Sequence, residues 1–117
     1  MKDFRSLKVW EKSHLIALEI YKLTRSFPKD EQYNLTSQLR RAITSISANI
    51  AEGCGRGSDK DFKRFIQIAM GSASESEYLI LLTKDLNYIS EADFNKLIIA
   101  VQEIKKMLSS LISKLKS

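Results

Sequence analysis

Residues that break regular structure are nearly absent from this chain, and their positions set the length of every element. Proline occurs once, at Pro28, and glycine only at positions 53, 55, 57 and 71 of 117 residues. Proline lacks an amide donor and restricts the residue before it, while glycine costs a helix about 1 kcal/mol against alanine. The stretches between these points are long enough for full helices.

Apolar periodicity then predicts four of them. The first spans about Leu7 to Ser26. One row joins Leu7, Trp10, His14, Ala17, Tyr21 and Thr24; a second joins Val9, Ile16, Ile20, Leu23 and Phe27, roughly 100° round the axis. The second helix starts at Asp30 or Leu35 and runs to Glu52, with Leu39, Ile43, Ile46 and Ile50 as its core row. A small polar row, Gln38, Ala42, Ser45 and Asn49, lies beside it, and Asn49 is expected to bond a neighbouring helix or its loop. Arg41 falls nearly opposite the core row and Arg40 about a right angle from it.

The third helix starts at Ser58, a good N-cap, with Asp59 and Asp61 in the first turn where carboxylates suit the dipole. Its rows are Phe62, Ile66, Ala69, Ala73, Ser76, Ile80 and Phe65, Ile68, Ser72, Leu79, Leu86. The small residues of "MGSASES" suit close approach of another helix, which is the reason expected for Gly71. The fourth opens at Ser90 and Asp93, close to a capping box. Phe94, Leu97, Val101, Ile104, Leu108, Leu111 and Leu115 then step by three and four, a coiled-coil-like seam. The expected fold is all-α: one antiparallel up-down-up-down four-helix bundle over residues 1–117.

At 44% hydrophobic, the chain can build a core without disulfides or metals. Its single cysteine, Cys54, cannot form an internal disulfide, which suits a reducing compartment; a cytoplasmic protein without a signal peptide is expected. No apolar run is longer than the five residues of "YLILL", far too short to span a bilayer, so no membrane partner is expected. A monomeric helix needs one apolar stripe, yet the first and third show two. That surplus predicts a homo-oligomer, with Val9 and Ile20 at the contact.

No catalytic constellation emerges. His14 is the only histidine, so neither a metal site nor the Glu-x-x-His pairs of di-iron bundles can be assembled; it reads as a core histidine. Cys54 has no histidine near it in sequence, and Glu75 and Glu77 do not share a helix face. "GCGRGS" follows a helix and lacks the lysine of a phosphate loop. Its glycines read as a left-handed helix cap and a flexible turn. No enzyme activity, metal or cofactor is expected.

Charge is more informative. The formal net charge is +5, yet residues 65–104 carry two basic residues against six acidic. Such asymmetry suits an anionic partner or self-assembly of unlike patches.

The residues also carry a resemblance. "F..L.VW" (Phe4, Leu7, Val9, Trp10), "IY..T..FP" (Ile20 to Pro28), "L..QLRRA..SI..NIAEG.GR" (Leu35 to Arg56) and "F..F..IA.GS..E" (Phe62 to Glu75) resemble the bacterial four-helix-bundle family of 23S rRNA intervening sequence proteins, also labelled S23 ribosomal protein. The likeness covers nearly the whole chain. Ser47 stands where that family commonly has proline, which should leave the helix straighter. The resemblance implies a bundle that assembles into a ring, a pentamer, with no enzyme activity. A more distant relation is the accessory protein of diversity-generating retroelements, a basic ring that engages a reverse transcriptase and nucleic acid.

Two readings follow. In one, a ring binds RNA or DNA backbone through Arg40, Arg41, Arg56, Lys60, Lys63 and Arg64. In the other, the acidic third quarter and the apolar rows hold a partner protein, with no role for nucleic acid.

Overall fold

The computed structural model describes residues 3–115. They form α1 (Lys8–Thr24), α2 (Leu35–Cys54), α3 (Asp59–Asp85) and α4 (Glu91–Lys114), with 3-10 turns at Phe4–Ser6 and Lys29–Glu31. No strand occurs among the described residues. Each helix packs on its neighbours in chain order, and α1 closes the square against α4. Short connections between successive helices give the antiparallel up-down-up-down bundle. Its 43 × 24 × 21 Å envelope is about one long helix in length, as 27 residues of α3 at roughly 1.5 Å each require.

Local chemistry starts and stops the helices. Ser58 accepts from the Asp61 amide at 3.1 Å and Ser90 from the Asp93 amide at 3.0 Å, so α3 and α4 begin where the sequence places them. At the end of α3, Asn87 adopts φ 64°, a left-handed conformation that asparagine tolerates. Before Pro28, α1 has already ended at Thr24, and Phe27 turns into the core.

The α2 row Leu39, Ile43, Ile46 and Ile50 is buried almost completely, as are Leu97, Val101, Ile104 and Leu108 of the α4 seam. The first helix departs from expectation. Its stripe is Val9, Ser13, Ile16, Ala17, Ile20 and Thr24, which takes part of each predicted row and adds Ser13 from neither, because α1 must meet α2 on one side and α4 on the other. Val9 and Ile20, expected at a contact between copies, are core residues of this chain. Tyr21 and His14 point outward, and the His14 ring stacks on Trp10 at 5.0 Å. The core reading of His14 is therefore corrected.

Buried hydroxyls are satisfied within their own helices. Ser13 donates to the Val9 carbonyl at 2.7 Å, Ser76 to Ser72 at 2.8 Å and Thr83 to Ile80 at 2.8 Å. Asn49 does the same: its Nδ2 donates to the Ser45 carbonyl at 2.7 Å, not to another helix. Among the described residues, the buried hydroxyl of Thr36 has no partner.

The glycine-rich corner also departs from expectation. No glycine among the described residues has a positive φ, so none supplies a left-handed cap. Gly53 lies inside α2, buried, and a Cβ there would stand 2.9 Å from Phe65 Cβ and 3.1 Å from Phe62 Cδ1. It is glycine because the end of α2 and the start of α3 touch there. Gly71 is the opposite case: it is exposed, and a Cβ there would meet nothing within 4 Å. The small residues of central α3 that do lie in the core are Ala69, Ala73 and Ser76.

These two glycines give a paired prediction. Gly53→Ala should lower stability by about 1 kcal/mol net, because overpacking of about 1–3 kcal/mol outweighs the gain of about 1 kcal/mol in helix propensity. Gly71→Ala should raise stability by up to about 1 kcal/mol. Urea denaturation midpoints moving in opposite directions are the expected result.

Candidate nucleic-acid interface

The six basic residues singled out in the sequence do not form one patch. Arg40 and Arg41 sit in the second turn of α2, and Arg56 follows its other end, about 20 Å along the axis. The structure therefore separates Arg40 and Arg41 from Arg56, Lys60, Lys63 and Arg64.

Arg40 is half-buried and engaged with α1. Its Nε donates to Thr24 Oγ1 at 2.8 Å, its Nη2 to the Tyr21 carbonyl at 3.2 Å, and its guanidinium lies 4.5 Å from the Tyr21 ring centroid. The last turn of a helix leaves carbonyls without intrahelical partners and carries negative partial charge. A planar guanidinium from α2 satisfies one of them and stacks on the aromatic face, which a lysine could not do in the same geometry. Arg41 is exposed and donates to Ser37 Oγ at 2.8 Å.

At the other end, Arg56 pairs with Glu52 at 2.9 Å, and Arg64 lies 4.0 Å from Asp61. Both guanidinium carbons are 4.8 Å from the Phe65 ring centroid, so the arginines from the corner and from α3 share one aromatic ring. Lys60, Lys63 and Arg64 line a shallow groove of about 320 Å³ together with Asp61 and Gln67. A neighbouring cavity of about 170 Å³ runs past Gly53, Arg56 and Ser58 to Asp59. The corner is basic but interleaved with carboxylates, and the Ser58 hydroxyl is engaged in capping α3.

The acidic quarter is partly neutralised within the fold. Lys105 Nζ donates to Glu77 Oε1 at 2.9 Å, and Gln102 Nε2 to Glu77 Oε2 at 3.4 Å. The Lys105 hydrogen bond, helped by Gln102, holds the Glu77 carboxyl below its ordinary value against the opposing effect of burial. Across the α1–α4 seam Lys12 pairs with Glu103 at 3.0 Å. No group of three or more His, Cys, Asp or Glu side chains suited to a metal occurs among the described residues. No described helix is long and apolar enough to cross a membrane.

With this geometry in place, comparison with known proteins is decisive for kinship. The family model described as 23S rRNA-intervening sequence protein matches residues 5–110. The chain belongs to that family. A crystal structure from Bacteroides thetaiotaomicron, of a protein with unknown function from the S23 ribosomal protein family, is 31% identical. It aligns over 91% of this chain and 96% of its own, with a TM-score of 0.83. No curated protein matches significantly. The family match reaches all four helices of the bundle.

Sequence reasoning missed what surrounds Arg40. Arg25 and Lys29, on either side of Pro28, line a cavity together with Arg40. The signal was the density of cations flanking a helix break, which periodicity does not weigh.

Two predictions follow from these contacts. Arg40→Ala should cost about 1–3 kcal/mol of stability, while Arg41→Ala should stay within about 0.5 kcal/mol; thermal or urea unfolding separates them. For Glu77, whose folded-state pKa is depressed, the stabilisation is present above the ordinary carboxylate value and is lost as pH falls through the lower folded value. Lys105→Met should therefore shrink the loss of stability between about pH 6 and pH 3, read from unfolding midpoints at each pH.

Proposed function

We propose that this protein is a non-enzymatic scaffold that assembles into a homo-oligomeric ring, with a pentamer as the expected size, and binds the phosphate backbone of RNA or DNA. The observation that carries the nucleic-acid reading is the groove formed by Lys60, Lys63 and Arg64 beside Arg56, where four cations from the corner and the first turns of α3 stand together. Interleaved Asp59 and Asp61 make one subunit a weak binder, and repetition around a ring raises avidity without new contacts. Arg40 leaves the set of primary contacts, since its guanidinium holds α1.

The assembly reading rests on apolar side chains that the bundle leaves outside. Leu15 is 55% exposed, Leu18 54% and Ile99 67%, and an apolar groove of about 200 Å³ between α1 and α4 is lined by Leu15, Ile16, Leu97 and Ala100. These replace Val9 and Ile20 as the residues for a second copy to cover. The adaptor reading has its own support in Tyr78 and Leu81, exposed one helical turn apart on α3 within the acidic quarter.

Fluorescence anisotropy with single-stranded RNA of arbitrary sequence tests the first part. Affinity should fall steeply between about 50 and 200 mM salt and show little dependence on sequence. Lys60→Glu with Lys63→Glu should weaken it at least about tenfold, while Lys84→Glu, in the last turn of α3, should not. Absence of binding at low salt hands the function to the adaptor reading. Light scattering tests the second part: a mass several times that of one chain is expected, reduced by Leu15→Glu with Leu18→Glu at unchanged helical circular dichroism. A single-chain mass for the wild type at micromolar concentration overturns it.

A further inference from the structure

The α1–α2 corner, at the far end of the bundle from the glycine-rich turn, contains a cavity of about 190 Å³. Thr24, Arg25, Lys29, Gln32, Thr36 and Arg40 line it. Three of these are cations, and no lining residue bears a carboxylate. The α2–α3 corner differs in this respect, since Asp59 and Asp61 line its grooves. The nearest acids in sequence are Asp30, which is exposed, and Glu31. The Glu31 carboxylate accepts from Tyr88 Oη at 2.8 Å, Asn34 Nδ2 at 3.2 Å and the Leu35 amide at 3.4 Å, and it does not line the cavity.

Thr36 supplies an independent observation. It is 7% exposed, it lines the cavity, and its hydroxyl has no hydrogen-bond partner. Buried hydroxyls are normally paired, and the others quoted above fold back onto their own helices. Thr36 lies in the first turn of α2, where the helix dipole is positive. The opposing carbonyl end of α1 is largely occupied: Thr24 Oγ1 donates to Ile20, Arg40 Nη2 to Tyr21 and Ser26 Oγ to Leu23. Arg40 uses Nε and Nη2 on α1, which leaves Nη1 for a ligand.

We propose that this corner binds a single phosphate-type oxyanion, held by Arg25, Lys29 and Arg40, with the Thr36 hydroxyl turned by one χ1 step to donate to it. The site is independent of the nucleic-acid reading of the opposite corner. A free phosphate and a phosphodiester of RNA share this chemistry, and the free phosphate is favoured because the cavity is a pocket at one corner and not a track.

The test is a two-dimensional NMR titration of the full chain with inorganic phosphate, against chloride at equal ionic strength. The amides of Lys29, Thr36 and Arg40 should shift saturably while those of Lys60 to Arg64 do not. Thr36→Val should weaken the phosphate affinity about 2- to 10-fold without lowering the melting temperature. Arg25→Gln with Lys29→Gln, both at exposed positions, should weaken it further in a folded protein. A parallel arm uses a short RNA without terminal phosphates. Saturable shifts at this corner with RNA alone overturn the proposal in favour of an extended nucleic-acid surface. Shifts with neither ligand, or phosphate affinity unchanged in both variants, overturn it and leave a water-filled cleft.

Discussion

The seam between α2 and α3 is the contact on which the rest of the molecule is hung. From α2 it takes an unbroken aliphatic row, Leu39, Ile43, Ile46 and Ile50, each at most 1% exposed. The buried row that α3 brings to the same core is Phe62, Ile66, Ala69, Ala73, Ser76 and Ile80. Burial of each large aliphatic side chain contributes about 1.5–3 kcal/mol, and the small residues between them let the axes approach. At the corner a side chain in place of Gly53 would collide with Phe62 and Phe65 of α3. With that pair set, α1 lies against α2 and α4 against α3, and the α1–α4 seam is the least extensive of the four.

That order of packing explains where apolar surface remains. The α1–α4 seam carries an open groove lined by the exposed Leu15, because two helices held mainly by other partners do not close fully on each other. Polar contacts follow the same logic. Lys12 to Glu103 spans the loose seam, Glu77 to Lys105 spans α3 and α4, and Arg40 spans α2 and α1. Some of the charge that looks available in a linear tally is therefore committed to neighbouring helices, and the cations at the two ends of α2 have different surroundings.

For the candidate interface, the sequence was a partial guide. Lys60, Lys63 and Arg64 do share a groove, because they follow one helix start within five residues and local spacing controls their directions. Only charge links Arg40 and Arg41 to them in the sequence. One of the pair is turned to the last turn of α1, a destination that depends on where α1 lies. Arg25 and Lys29 went unnoticed because they stand on either side of a break, where helical periodicity has nothing to say.

Within single helices the chain chemistry was sufficient. Breakers, serine caps and three-four spacing specify four helices, their starts at Ser58 and Ser90, the α2 core row and the α4 seam, since each depends on neighbours within about one turn. Three features depended instead on how the helices sit round the square. Parts of both predicted rows of α1, joined by Ser13, form its buried stripe because α1 has two neighbours. Gly53 proved to be a contact glycine and not a left-handed cap, because α3 crosses it. Thr36 and its three cations share a cavity because α2 returns beside the end of α1. Such residues lie far apart in sequence or on a helix flank, where the angular position of the next helix, set by long-range packing, determines whether a side chain meets core, ligand or water.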